Sequence, residues 1–235
     1  WLLCTGGAAA QALQADLSTH SISITSSYVG ADMVLFGVRE GAGDIVVVVR
    51  GPSVQASVRR MGRVAGIWLN RASVEFGGVP GFYAVATSGD LAGIAGEALL
   101  ADQQIGADWL RFAAEDGRDV SSADDEFAAA LVRDRQRRGL YRADPQAVTF
   151  VGQSLFRTDF HLPASAPVGS YTATTYLLHE GQVVATDVVA LSVDKTGLGR
   201  AVYYYAREQP VAYGMLAVLL ALIAGWIAAV AFRQN

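Results

Sequence analysis

Three imidazoles and one thiol are all the chain offers for nucleophilic or metal chemistry: His20, His161, His179 and Cys4. A hydrolase needs a nucleophile, a base and a group that orients the base. No serine stands in the G-x-S-x-G frame, and Gly152-Gln153-Ser154-Leu155-Phe156 breaks it at the last position. His161 and His179 fall near expected strand ends, where a hydrogen-bonded loop histidine is the common case. His20 lies close to Asp16, but no H-x-x-x-H, H-x-H or Cys pair exists, and Met33, Met61 and Met215 are scattered. A local zinc or copper site has no support in that pattern. The chain is therefore expected to be no enzyme, with no catalytic residue, no metal and no cofactor. Ligands that converge from distant residues remain an open alternative.

Arginines form two clusters. Arg133, Arg135, Arg137, Arg138 and Arg142 close a helical pattern that Asp124, Asp125 and Glu126 open. That charge order is the one the helix macrodipole favours, so a solvated helix end is expected rather than an anion site. Arg59, Arg60 and Arg63 precede Gly66-Ile67-Trp68. Their charges suit membrane phosphates, and suit equally an edge strand that must not aggregate. The formal net charge of −4 argues against a nucleic-acid partner.

The elements that position these groups are mostly strands. His20 to Tyr28 alternates Ile22 and Ile24 with Ser and Thr, and Asp32–Val38 and Asp44–Arg50 are short apolar runs between glycines. Val46-Val47-Val48-Val49 is β-branched throughout, the mark of a strand buried on both faces. Val64–Leu69, Ser73–Phe76 and Phe82–Thr87 continue the series. From about 90 to 144 the spacing turns helical: Leu91, Ile94, Ala95, Ala98 and Leu99, then Trp109, Leu110, Phe112 and Ala113, then a helix opened by a Ser122/Asp125 capping box and closed at Gly139. Val148–His161 predicts one long strand with a bend or bulge, and Ser170–Leu178 and Val183–Val193 a final hairpin. The expected fold is mainly β: an Ig-like antiparallel β-sandwich over 13–193 with a helical insertion, plus one C-terminal membrane helix.

Both ends point to a membrane. Trp1-Leu2-Leu3-Cys4 followed by small residues and the Ala10-x-Ala12 pattern matches the last part of a signal peptide with cleavage after Ala12. Val211–Phe232 holds no charged residue, and ten of its positions are Leu, Ile, Val or Phe. As a helix it extends about 33 Å, enough for a hydrocarbon core of about 30 Å. The juxtamembrane segment 194–210 and the tail 233–235 flank it. Tyr203, Tyr204, Tyr205 and Tyr213 on one side and Trp226 toward the other suit interfacial anchoring. Ala217, Ala221, Gly225 and Ala229 repeat every four residues and form a small ridge that lets a second helix approach. Lys195, Arg200 and Arg207 before the span outnumber Arg233 after it, which taken alone inverts the topology. The signal peptide outweighs them, since long domains translocate largely regardless of such charges.

Leu17-Ser18-Thr19-His20, Ile22-x-Ile24-x-Ser26, Gly30-Ala31, Leu35-Phe36-Gly37, Gly51-Pro52, Gly66-Ile67-Trp68-Leu69-Asn70 and Val79-Pro80-Gly81-Phe82-Tyr83 occur in this order, followed by Pro210-x-x-Tyr213-Gly214 and Gly225-Trp226. Together they resemble the alphaproteobacterial transmembrane protein family Alph_Pro_TM over essentially the whole chain. The resemblance implies no activity or catalytic residue. It does imply a link to permeases of the sulfite-exporter type. The expected protein is a single-pass inner-membrane protein with its N-terminal domain in the periplasm, acting as a non-enzymatic accessory or interaction subunit. Its expected partners are the lipid bilayer and either a multi-span membrane protein or a second copy through the membrane helix. A periplasmic solute- or metal-binding module is the alternative, and a hydrolase the third.

Overall fold

The computed structural model describes residues 13–25, 28–64, 67–114, 117–123 and 125–195, together with 214, 215, 218, 222, 225 and 226. The chain divides into two compact units, one of residues 1–22 and 28–194 and one of 23–27 and 195–235. The first is mainly β, as the strand periodicity predicts, and its strands form three sheets.

The largest sheet is built around β4 (Asp44–Arg50) and β13 (Gly169–His179), which pair antiparallel from Arg50 opposite Thr172 to Asp44 opposite Leu178. Ile45 to Val49 are all buried, so both faces of β4 are covered. The β-branched run was chosen for that: a charge or a flexible side chain there would lose hydration without a partner. Outward from β4 lie β7 (Tyr83–Thr87) and the short parallel β10 (Gln146–Ala147); outward from β13 lie β14 (Gln182–Lys195) and β2 (Ser21–Ile24). The β13–β14 turn places Glu180 at φ 49° and Gly181 at φ 75°. Two successive left-handed residues are the signature of the tight turn whose twist matches the flanking strands.

The second sheet has the order β1 (Leu13–Leu17), β3 (Gly30–Arg39), β12 (Leu155–Pro163), β11 (Thr149–Val151), antiparallel throughout. Along β12 Phe156, Thr158, Phe160 and Leu162 are buried while Leu155, Arg157, Asp159 and His161 are exposed. Such period-2 alternation belongs to a sheet with one dry face. Two hydrogen bonds cross between these sheets: Ala15 N donates to Asp187 Oδ2 at 2.7 Å, and Thr158 Oγ1 donates to Ala147 O at 3.1 Å. The expected single strand over Val148–His161 is in fact the hairpin β11–β12, because Gly152 at φ 73° turns the chain before Leu155.

The third sheet, β5 (Ser53–Val64), β6 (Ile67–Pro80), β8 (Arg111–Ala114), β9 (Asp119–Ser121), was the least expected. Val64 ends β5 and Ile67–Leu69 begin β6, paired antiparallel, so the expected single strand Val64–Leu69 is shared between two strands. Trp109-Leu110-Phe112-Ala113, read as a helical face, instead gives a 3-10 turn at Ala107–Trp109 followed by β8. Pairing with Phe76 and Gly77 of β6, together with the Phe76–Phe112 ring contact at 6.0 Å, overrides the local spacing.

The insertion thus mixes strands with helices: α1 (Leu91–Ile94), α2 (Glu97–Gln103) and α3 (Glu126–Arg137). Asp125, not Ser122, caps α3, accepting from Ala128 N at 2.9 Å. Ser122 Oγ is turned elsewhere, donating to Ala107 O at 2.7 Å. As expected, Glu126 stands in the first turn, Arg135 and Arg137 in the last, and Gly139 at φ 70° ends the helix.

Candidate functional site

Each of the three histidines finds its own surroundings. His20 Nε2 lies 2.7 Å from Asp16 Oδ1, and His161 Nδ1 lies 2.6 Å from Asp32 Oδ1. Both pairs are exposed; Asp16, Asp32 and His161 lie on the second sheet, and His20 lies between β1 and β2. Asp16 faces Phe36 across the β1–β3 ladder, whereas Asp32 is four residues further along β3. At about 3.3 Å per residue the two carboxylates are roughly 13 Å apart along the strand, so the pairs do not make one constellation. His179 is exposed beside the β13–β14 turn. Among the described residues, no three His, Cys, Asp or Glu side chains converge closely enough to hold a metal ion. Periodicity could not reveal the His161–Asp32 pair, whose members are 129 residues apart.

The outer face of the same sheet carries an apolar row that sequence reading missed. Val38 is opposite Leu155, and Leu155 opposite Val151. These side chains are 46%, 38% and 53% exposed, and Phe36 beside them 41%. Exposed apolar residues are ordinary singly; a contiguous cluster marks a contact surface. Arg39 follows Val38, its guanidinium 4.4 Å above the Phe150 ring and its Nη1 donating to Gly43 O. Gly37 lies under Phe156 and Gln14 O, where any side chain would collide.

A groove of about 830 Å³ opens between the end of β7, the insertion and the segment after α3. Its lining includes Leu91, Leu100, Ile105 and half-buried Trp109, with exposed Asp90, Glu97 and Asp108 at the rim. One buried tyrosine fixes the wall. Tyr83 Oη donates to Gln104 O and accepts from Gly106 N, each at 2.8 Å. Arg50 Nη2 donates to Gln103 O at 2.7 Å and Gln104 O at 3.2 Å. These bonds satisfy carbonyls at the end of α2, where Gln104 turns left-handed at φ 50°. Burial raises the Tyr83 hydroxyl to about 12; the Gly106 N–H and the Arg50 charge pull it partly back. Tyr141, 5.8 Å from Tyr83 ring to ring, is raised by burial as well, and its Oη donates to Pro80 O at 2.7 Å. Neither phenol is poised near neutral pH, so both serve the frame.

The remaining predicted positions lie largely outside the described residues: Ala10 and Ala12 of the cleavage site, Tyr203, Tyr204, Tyr205 and Tyr213, and Ala217, Ala221 and Ala229. Gly225 and Trp226 are helical, as are Gly214, Met215, Val218 and Leu222. Met215, Val218, Leu222 and Trp226 are each more than 60% exposed. A side chain added at Gly225 would meet nothing within 4 Å. Among the described residues no helix is long and apolar enough to cross a membrane.

Comparison with known proteins gives a family. Residues 12–234 match the family model described as "Putative transmembrane protein (Alph_Pro_TM)", and the chain belongs to that family. No curated protein and no solved structure matches it.

Proposed function

We propose that this member of a transmembrane family is a single-span protein of a bacterial inner membrane whose head, residues 13–193, stands in the periplasm. The head is an Ig-like sandwich of the six-stranded sheet and the β1–β3–β12–β11 sheet, and the uncharged run 211–232 is its anchor. It works without catalysis, as an accessory or interaction subunit that holds a multi-span membrane protein such as a sulfite-exporter-type permease. The observation that supports this reading best is the exposed apolar row Val38, Leu155 and Val151 with Phe36. A domain that buries five consecutive residues of β4 has no packing need to leave four large apolar side chains adjacent in water.

Purification of the full chain from native membranes in mild detergent tests it. A multi-span partner identified by mass spectrometry should remain with the wild-type chain and be lost from the V38E/L155E double variant, whose thermal midpoint is unchanged. Gly225→Leu with Ala221→Leu should weaken the same complex through the helix ridge. A chain that elutes alone in all forms contradicts the reading.

The groove supports a second reading, a solute-binding module for an organic cation, since an indole and three rim carboxylates attract positive charge. Thermal-shift screening of the full chain would then find a stabilising cation whose effect disappears in Trp109→Ala. A hydrolase ranks last, and joint substitution of His20, His161 and His179 should change nothing but local surface charge.

A further inference from the structure

We propose that the outer half of the β5–β6 hairpin is a docking arm for the anionic headgroups of the bilayer surface. This rests on the membrane anchoring proposed above. The base of the hairpin is packed: Phe76 is buried against Phe112, and β6 meets β8 at Phe76 and Gly77. Beyond that point the described residues of β5 and β6 pair with one another, and Arg59, Arg60, Met61, Arg63, Leu69, Asn70, Arg71, Ala72 and Ser73 are exposed. A strand of this length extends about 40 Å, so its outer half stands well clear of its base.

The arm's chemistry differs from that of the rest of the chain. Residues 56–74 contain Arg59, Arg60, Arg63 and Arg71 and no acidic residue, in a protein whose net charge is −4. Arg60 is held by α3, paired with Glu126 and lying 5.0 Å over the Phe127 ring, on the opposite face of β5 from Arg59. Arg59, Met61 and Arg63 alternate along β5 and so share one face, a basic, apolar, basic stripe. The register shift between Arg60 and Met61 places the extra residue, Arg71, on the opposite strand. Its stem lies across Gly62, where a Cβ would run into Arg71 Cγ and Cδ. The glycine thus lets the two strands stay paired while Arg71 crosses above it.

Guanidinium groups bind phosphates in bidentate fashion, and the Met61 thioether between Arg59 and Arg63 suits the boundary between headgroups and acyl chains. Between Lys195 and the uncharged run at Val211 lie residues 196–210, which extended span at most about 55 Å. Edge protection against aggregation also uses arginine, but it needs no lipid.

The test uses the full-length chain with Cys4→Ala, labelled at Met61→Cys with an environment-sensitive fluorophore and reconstituted into vesicles with or without phosphatidylglycerol. The expected result is a blue-shifted emission, quenched by spin-labelled lipid, in the anionic vesicles alone and reversed by roughly 0.5 M salt. Arg59→Gln with Arg63→Gln should lower the bound-to-free ratio of the arm about 25-fold, near fivefold for each charge, while the Lys versions retain it. A label that stays in water in both vesicle types overturns the proposal, as does a Gln double variant that aggregates with its lipid response intact. A response that requires added membrane proteins overturns it too, in favour of a protein partner. A second label at Leu222→Cys reads the anchor separately. Quenching at Leu222 without quenching at Met61 removes the arm and leaves the anchor standing, and quenching at Met61 alone does the reverse.

Discussion

The core strand β4 and the arm strand β5 are separated by only Gly51 and Pro52, yet they obey opposite rules. β4 buries Ile45 to Val49 on both faces and takes its stability from neighbours on either side. Along its outer half β5 has β6 beside it, α3 touching it only through Arg60 among the contacts described above, and exposed arginines at most of its polar positions. The two strands form the same backbone hydrogen bonds; what differs is which layer, if any, lies above and below. Burial in the first case specifies the fold, and exposure in the second puts charged side chains at the surface.

That contrast can be broken most severely from the core side. Leu177 of β13, fully buried opposite Ile45, should cost about 2–5 kcal/mol when cut to alanine, measured by urea unfolding of the full chain in detergent. Loss of less than that would mean the sheet interface is loosely packed. Tyr83→Phe leaves Gly106 N and Gln104 O without their phenol and should cost about 1–3 kcal/mol. The same residue sets a pH limit. Its folded value of about 12 exceeds the ordinary value of about 10, so the neutral form is favoured by folding. The stability it contributes is complete below pH 10 and falls as pH rises from there through about 12, and Tyr141 and Tyr171, also raised by burial, act in the same direction. Thermal midpoints should therefore be flat from pH 8 to about 10 and drop beyond it, less steeply in Tyr83→Phe.

Smaller effects sharpen the comparison. Thr175 is completely buried and its Oγ1 finds no hydrogen-bond partner among the described residues. Thr175→Val should raise stability by about 1 kcal/mol, and a decrease would show that the hydroxyl is satisfied after all. Met61→Ala on the arm should change stability by less than about 0.5 kcal/mol, because its side chain is 56% exposed. A large loss there would place the arm inside a packed interface.

These two strands also show what a sequence can and cannot announce. Asp44–Arg50 was legible to the residue because β-branched side chains with no charge suit few environments other than a doubly covered strand. β5 was missed although Val54, Ala56 and Val58 alternate with Ser53, Gln55 and Ser57, because the alternation stops at Arg59-Arg60 and the strand continues with no buried face. Trp109 to Ala113 misled in the other direction: spacings of one, three and four fit a helix, whereas pairing of Phe112 with Val120 of β9 and of Ala113 and Ala114 with Gly77 and Phe76 of β6 makes the segment a strand. The apolar row on the second sheet depends on β1, β3, β12 and β11 arriving in register from both ends of the head, so no local pattern holds it. The groove likewise exists because Tyr83 reaches the end of α2, a contact between residues 21 positions apart.

Protease added to intact spheroplasts tests the central claim, a membrane-held head outside the cytoplasm, most directly. With an epitope placed before Leu13 to follow the head, digestion should proceed before lysis while a C-terminal fragment containing 211–232 stays in the membrane pellet. A head that survives until the cells are lysed, or a chain released from the membrane by alkaline wash, contradicts the account.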